Sequence, residues 1–195
     1  MDEKKIQELI DKEAIRDQIY TYCRALDRID NELGYSVFAE DSHVNYGPTF
    51  PSGTGREFID DMLNQHRHMI STHHVMTNIL IKLDGDRASS ETYMYAACKF
   101  HKGKTGSFTV EARCRDIDRW EKRDGKWLIV DRVVAGDNTF IYAPTKENDL
   151  ENYNTHRNKK REEDHSYVVF KEVWFNLTIK KFNREERRLK NGKHQ

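Results

Sequence analysis

Three turn signals govern what this chain can become. Asp84-Gly85-Asp86, a Lys/Gly loop at 102–106 and Arg123-Asp124-Gly125-Lys126 divide the second half into runs at 73–83, 88–100, 108–121 and 127–134. The runs carry strand-like apolar alternation, most plainly at Ile79, Ile81 and Leu83, and Gly-bearing loops between such runs mark hairpins. Strands joined this closely pair antiparallel with their sequence neighbours, because a parallel partner needs a crossover of about a dozen residues or more. The sequence therefore predicts a four-strand meander over 73–134.

The first half has a different period. Over 3–26, Ile6, Ile10, Ala14, Ile19, Cys23 and Leu26 recur at helical spacing with charges between them, which predicts an amphipathic helix. The pattern stops near Asp27–Asn31. A short helix is expected over 32–39, burying Leu33, Val37 and Phe38, then a brief strand at 43–46. Gly47-Pro48, Pro51 and 52–55 read as an irregular loop. A third helix is expected over 56–68, with Phe58, Ile59, Met62 and Leu63 inward. Helices followed by a run of strands make an α+β fold. The expected form is a cone-shaped barrel: a curved mixed or antiparallel sheet packed against three N-terminal helices, with a C-terminal extension. On this reading 1–142 form the domain, 143–182 an arm packing on the domain or a neighbouring subunit, and 183–195 a basic, disordered tail.

Charge limits the partners. The 33 Lys and Arg balance 33 Asp and Glu, so no global field favours nucleic acid or a membrane surface. From His156 onward 12 basic residues face 6 acidic ones, a net of +6 that leaves −6 on the rest. The basic end reads as a solvated tail or subunit contact. The three cysteines (Cys23, Cys98, Cys114) lack metal-like spacing and read as reduced thiols, giving a cytoplasmic expectation. Neither a signal segment nor a membrane span is read in the sequence.

The chemistry gathers at His74, at the mouth of the first meander strand, where a titrating imidazole on a fixed backbone suits a general base. Asp27, at the end of the first helix, could orient that imidazole, and Tyr22 could donate a proton or polarise a carbonyl. Taken singly, each has a plain structural alternative: a surface or core histidine, a polar helix terminus, a core-edge aromatic. Tyr46, Phe50, Met69, Tyr95 and Trp120 are candidates to line a pocket for a flat apolar substrate. His66, His68, His73 and His74 raise a metal site, but they straddle a helix end and a strand start with no Cys or Glu completing the set, so none is expected. His73 should alternate away from His74. Arg115 and Asp118 are expected to form a structural ion pair in the sheet. No phosphate-binding glycine loop is present, and no cofactor is expected.

The run from Glu13 to Asp30 resembles the opening of SnoaL-like proteins of the nuclear transport factor 2-like superfamily. Phe38–Asp41, His74–Asn78, Leu83–Ala88 and Asp118–Trp127 follow in the family's order, and His156–Tyr167 resembles a recurrent ending. The resemblance spans about 6–170. It implies the cone fold and cofactor-free lyase or isomerase chemistry, as in bile-acid 7α-dehydratase, scytalone dehydratase, hexachlorocyclohexane dehydrochlorinase and lignin-dimer formaldehyde lyases. The family's first-helix Asp and strand-leading His fall on Asp27 and His74. The bile-acid enzyme's catalytic tyrosine falls on Tyr22, whereas its further aspartate falls on Ala96 or Ala97. A usual Gly-Arg-Tyr reads Cys114-Arg115-Asp116.

The expectation is a dehydratase-type carbon–oxygen lyase acting on a polycyclic, steroid-like or aromatic hydroxy substrate. The alternatives are an isomerase, a formaldehyde- or halide-eliminating lyase, or a non-catalytic binding or assembly subunit. A homo-oligomer is expected, with a trimer favoured over a dimer.

Overall fold

The structure, a computed structural model, describes residues 2–49, 52–104, 106–143 and 164–170. The chain divides into two compact units, Met1–His156 and Arg157–Gln195. In the second, Asp164 precedes a helical turn over 165–170 and accepts the Ser166 N–H at 3.1 Å. The rest of the expected extension and the tail lie outside the described residues, apart from Ala143.

Helix α1 (Glu3–Arg28) begins where the Asp2 side chain accepts the Lys4 N–H, a start that satisfies one orphan donor. Its buried stripe is Ile15, Ile19, Tyr22, Ala25 and Leu26, with Asp11. The expected stripe differs at its start, since Ile6 and Ile10 are exposed: the helix meets the sheet from Asp11 onward, where Asp11 accepts the Trp127 Nε1–H at 2.9 Å. The helix stops at Ile29, whose φ of 54° is left-handed. A β-branched residue there costs roughly 1–2 kcal/mol, and burial of Ile29 in the core offsets it. Helix α2 (Asn31–Tyr35) is shorter than expected, because β1 (Phe38–Asn45) already begins at Phe38. Helix α3 (Gly55–Arg67) opens on a capping box between Thr54 and Glu57. A Cβ at Gly55 would run into the Phe38 ring, so glycine permits α3 to approach β1.

The meander follows as β2 (Ser71–Asp84), β3 (Arg87–Lys102), β4 (Gly106–Arg123) and β5 (Lys126–Tyr142). Its turns carry the expected chemistry. Gly85 has φ 59°, and Asp124 and Gly125 have φ 51° and 77°, as tight two-residue hairpin loops require. Strand order is β1-β5-β4-β3-β2, with β1 parallel to β5 and the other pairs antiparallel. β5 runs to Tyr142, eight residues past the expected end. The sheet curls around the helices without hydrogen-bonded closure, as a mixed five-strand cone. Even-numbered residues of β3 and β4 (Thr92, Met94, Ala96, Cys114, Asp116, Asp118, Trp120) are buried on its concave face. Among the described residues no helix is long and apolar enough to cross a membrane.

Candidate active site

The last turn of α1 and the start of β2 bring two expected residues together. Asp27 Oδ1 lies 2.7 Å from His74 Nδ1, and Asp27 Oδ2 accepts the His74 backbone N–H at 3.1 Å. One carboxylate thus holds both the ring and the main chain of one residue. With Nδ1–H donating to the carboxylate, the tautomer leaves a lone pair on Nε2, the form a base needs. The pair is nearly dry, at 5% exposure for His74 and 10% for Asp27. His73 is 64% exposed, with its Nδ1 4.0 Å from Asp27, as strand alternation requires. The Cys23 thiol donates to the His74 carbonyl at 3.2 Å. Burial and the Asp27 charge push that thiol up to about 12, so Cys23 is a structural donor at neutral pH.

His66, near the end of α3, stacks on His74 with ring centroids 5.4 Å apart. Its Nδ1 is 3.3 Å from the Leu26 carbonyl oxygen. Burial, then the neighbouring His74, pushes His66 down to about 4. It is neutral at pH 7 and packs as a polar wall for the dyad. Among the described residues His66, His74 and Cys98 are the set able to hold a metal, with ligating atoms within 4.8 Å of one another. Donor atoms in a tetrahedral zinc site lie closer, roughly 3.3–3.8 Å apart by standard bond lengths. Burial and the Asp27 charge push the Cys98 thiol up to about 11, so it offers no thiolate of its own.

Deeper in the cone is an assembly that sequence reasoning missed. Arg132 on β5 donates through Nε to Asp118 Oδ1 at 2.6 Å and through Nη2 to Asp118 Oδ2 at 2.8 Å. Its Nη1 faces Asp116 Oδ2 at 3.2 Å. All three residues are buried. Asp118 therefore pairs with Arg132 and not with Arg115, which reaches Glu91 and Asp137 instead. The parity of the strand explains this correction: Arg115 and Asp118 point to opposite faces of β4. Burial is the main cause raising Asp116 to about 6, with Arg132 opposing it. The signal was present as charged residues 116, 118 and 132 on the concave phase of two strands, but only the register, which sets Asp118 opposite Arg132, joins them.

Tyr22 is fully buried beneath the Arg132 guanidinium, 4.3 Å from its ring centroid. Burial is the main cause holding its phenol well above the usual range, with the Arg132 charge and a hydrogen bond with Tyr46 opposing it. Tyr46 stacks on Phe58 at 4.7 Å and its side chain hydrogen-bonds with Tyr22. Met69 sits in the turn between α3 and β2, its N–H donating to the His66 carbonyl at 3.1 Å. Phe50 lies outside the described residues. Two expected lining residues are not brought to the dyad. Tyr95 alternates out of phase with Met94 and Ala96 onto the outer face, beside Glu111. Trp120 is core, its Nε1 donating to Ser90 Oγ at 2.9 Å. It pairs with Ala88, whereas His74 pairs with Ala96, roughly 26 Å away along β3.

The SnoaL-like domain family matches residues 7–133, and the chain belongs to it. No curated protein sequence matches. Solved structures with this fold include a candidate scytalone dehydratase from Novosphingobium aromaticivorans, 23% identical with a TM-score of 0.63, covering 72% of this chain and 93% of that one. A type 2 hexachlorocyclohexane dehydrochlorinase, LinA, is 16% identical with a TM-score of 0.65 over 72% and 95%. A candidate aromatic ring hydroxylase from N. aromaticivorans is 22% identical with a TM-score of 0.60 over 72% and 96%.

Proposed function

Taking the chain as a member of the SnoaL-like domain family, we propose that it is a cofactor-independent lyase that eliminates water from a polycyclic, steroid-like or aromatic hydroxy substrate. The observation that carries this reading is the double grip of Asp27 on His74. A base whose tautomer, ring angle and backbone are all set by one carboxylate has little to reorganise before it takes a proton. His74 Nε2 removes a carbon-bound proton activated by a neighbouring carbonyl or aromatic ring. The electron pair forms the new double bond as the β-hydroxyl departs with a proton. Asp27 stabilises the imidazolium. Tyr22, kept protonated by its burial, polarises substrate oxygen as a hydrogen-bond donor. The proton goes from carbon to imidazole and, with the hydroxyl, leaves as water, so no redox group enters the balance. General base catalysis of this kind is worth roughly 10²–10⁴ in rate. The dehydratase and dehydrochlorinase names of two fold neighbours support the reaction class.

A homo-oligomer fits the same reading, the trimer being the form implied by the resemblance. Ile117 and Val133 are exposed neighbours on the outer face, with Leu80 beyond the Glu91–Arg115 ion pair in the same row, a mixed surface of the kind subunit contacts use.

The test is mass spectrometry of a steroid and aromatic hydroxy-ketone panel incubated without cofactor. Loss of water with wild type, abolished in His74→Ala and cut at least a hundredfold in Asp27→Asn, is the expected result. Turnover surviving in both variants removes the dyad from the reaction. Deuterium uptake from heavy water without mass loss would assign an isomerase.

A further inference from the structure

The two histidines beside the end of α1 are held alike. Asp27 Oδ1 takes the ring N–H of His74 at 2.7 Å, and the Leu26 carbonyl oxygen lies 3.3 Å from Nδ1 of His66. A carbonyl can only accept, so His66 carries its hydrogen on Nδ1. Two consecutive residues of α1 therefore fix two tautomers, and both rings keep their lone pair on Nε2. The rings stack 5.4 Å apart and 29° from parallel. A third donor comes from β3. Thr72 pairs with Cys98 and His74 with Ala96, so Cys98 stands two residues along from the partner of His74, on the same face. One ring nitrogen of each histidine and the Cys98 Sγ lie within 4.8 Å of one another.

We propose that His66, His74 and Cys98 form a Zn²⁺ site whose occupation takes the base out of the reaction. Ligand chemistry selects the ion: two imidazoles and a thiol suit Zn²⁺, whereas Mg²⁺ and Ca²⁺ need oxygen donors. A histidine that binds metal through one nitrogen almost always donates its other N–H to a carboxylate or a backbone carbonyl. Asp27 and Leu26 supply one of each, already in place in the free protein. The set is wider than a closed tetrahedron, whose donor atoms lie roughly 3.3–3.8 Å apart. A partial turn of Cys98 about its Cα–Cβ bond takes up that difference, and Cys98 is only half-buried, so the core does not lock it. His73 alternates outward, 64% exposed, and takes no part.

On binding, the ion replaces the proton of the Cys98 thiol, which leaves to solvent. Three protein donors leave a fourth position for water, as in open zinc sites. The lone pair on His74 Nε2 is the one that the lyase reading assigns to proton abstraction. Shared with zinc, it cannot take a proton from carbon, so the metal switches the base off. The inhibition rests on that reading, but the binding itself does not. Spacing along the chain conceals the site, because Cys98 joins the histidines only through the β2–β3 register.

The experiment titrates the full chain, first stripped of metal by a chelator, with Co²⁺ and then Zn²⁺ at one neutral pH. Wild type is expected to bind one Co²⁺ per chain with a thiolate-to-cobalt absorption band, and one Zn²⁺ should displace it. Cys98→Ser should abolish the band, whereas Cys23→Ser should keep it. His66→Gln and His74→Ala should each weaken zinc binding by at least about a hundredfold. Asp27→Asn, which removes only the support behind His74, should weaken it roughly ten- to a hundredfold. His73→Gln should bind as wild type does. Zinc should raise the Tm of wild type and of His73→Gln but not that of Cys98→Ser, so each loss of binding is read on a folded protein. No band with wild type, a band that survives in Cys98→Ser, or zinc affinity unchanged in His66→Gln overturns the site. Zinc bound there with hydroxy-ketone turnover undiminished overturns the switch. Intact zinc binding beside a panel that the metal-free protein leaves unchanged would instead remove the lyase reading alone.

Discussion

The cone holds two buried carboxylate clusters, and they are wired differently. Near the start of β2, both oxygens of Asp27 are engaged by one residue, His74, through its ring and its main chain. Between β4 and β5, both oxygens of Asp118 are engaged by the Arg132 guanidinium, while Asp116 has one oxygen in an ion pair with it and the other without a partner in the described residues. The first cluster fixes the angle of an imidazole ring. The second makes burial of a guanidinium tolerable, because two carboxylates share one permanent cation.

The largest expected effect tests that difference in kind. Arg132→Met removes the cation from two buried carboxylates and should cost roughly 3–5 kcal/mol, the usual penalty for orphaning a buried charge. Asp27→Asn keeps a hydrogen-bonding side chain of the same shape opposite His74 and should cost only about 1–2 kcal/mol, despite its larger expected effect on turnover. Urea unfolding at pH 7 measures both. Equal costs would break the comparison, because the Asp27 carboxylate would then be as hard to replace as the cation that two carboxylates share.

That contrast also explains what the sequence could tell. The meander was legible because its turns are local: Gly85, Asp124 and Gly125 supply the positive φ that the hairpin loops use. The dyad was legible through resemblance, since Asp27 and His74 are 47 residues apart and no spacing rule joins them. The Arg132 cluster is not legible. Asp118 and Arg132 are 14 residues apart and only the β4–β5 register joins them, whereas the sequence pairs Asp118 with Arg115, which lies on the other face. The stop of α1 is legible, since the helical pattern ends near Asp27–Asn31, but the form of that stop is not. Left-handed ends favour glycine, and here an isoleucine takes that conformation because the core holds it. The β1 start at Phe38 was masked by a helix-like apolar spacing that tertiary pairing with Ile129 overrides.

A smaller effect, of opposite sign at the two sites, sharpens the comparison. His66 beside the dyad is pushed down from 6.5 to about 4. The unfolded chain therefore takes up a proton that the folded chain refuses, and this contribution is full above pH 6.5 and lost as pH falls toward 4. Asp116 is raised from 3.8 to about 6. The folded chain keeps a proton that the unfolded chain gives up, so its contribution is full below about pH 4 and lost as pH rises through 6. In wild type the two slopes oppose each other. Urea midpoints between pH 4 and 7 should rise with pH in Asp116→Asn and fall with pH in His66→Gln. The same slope in both variants would mean that the two sites do not titrate apart.

The smallest expected change is at Tyr22. Tyr22→Phe keeps the ring under Arg132 and edge-on to Phe38 and deletes only a buried hydroxyl that hydrogen-bonds with Tyr46. At Arg132, truncation strips a charge from two carboxylates. Here it removes one neutral contact, so the folded state should lose no more than about 1 kcal/mol. Thermal unfolding should show a Tm only slightly below wild type. A loss as large as that of Arg132→Met would mean that the Tyr22 hydroxyl is part of the charged cluster and that the two clusters cannot be weighed separately.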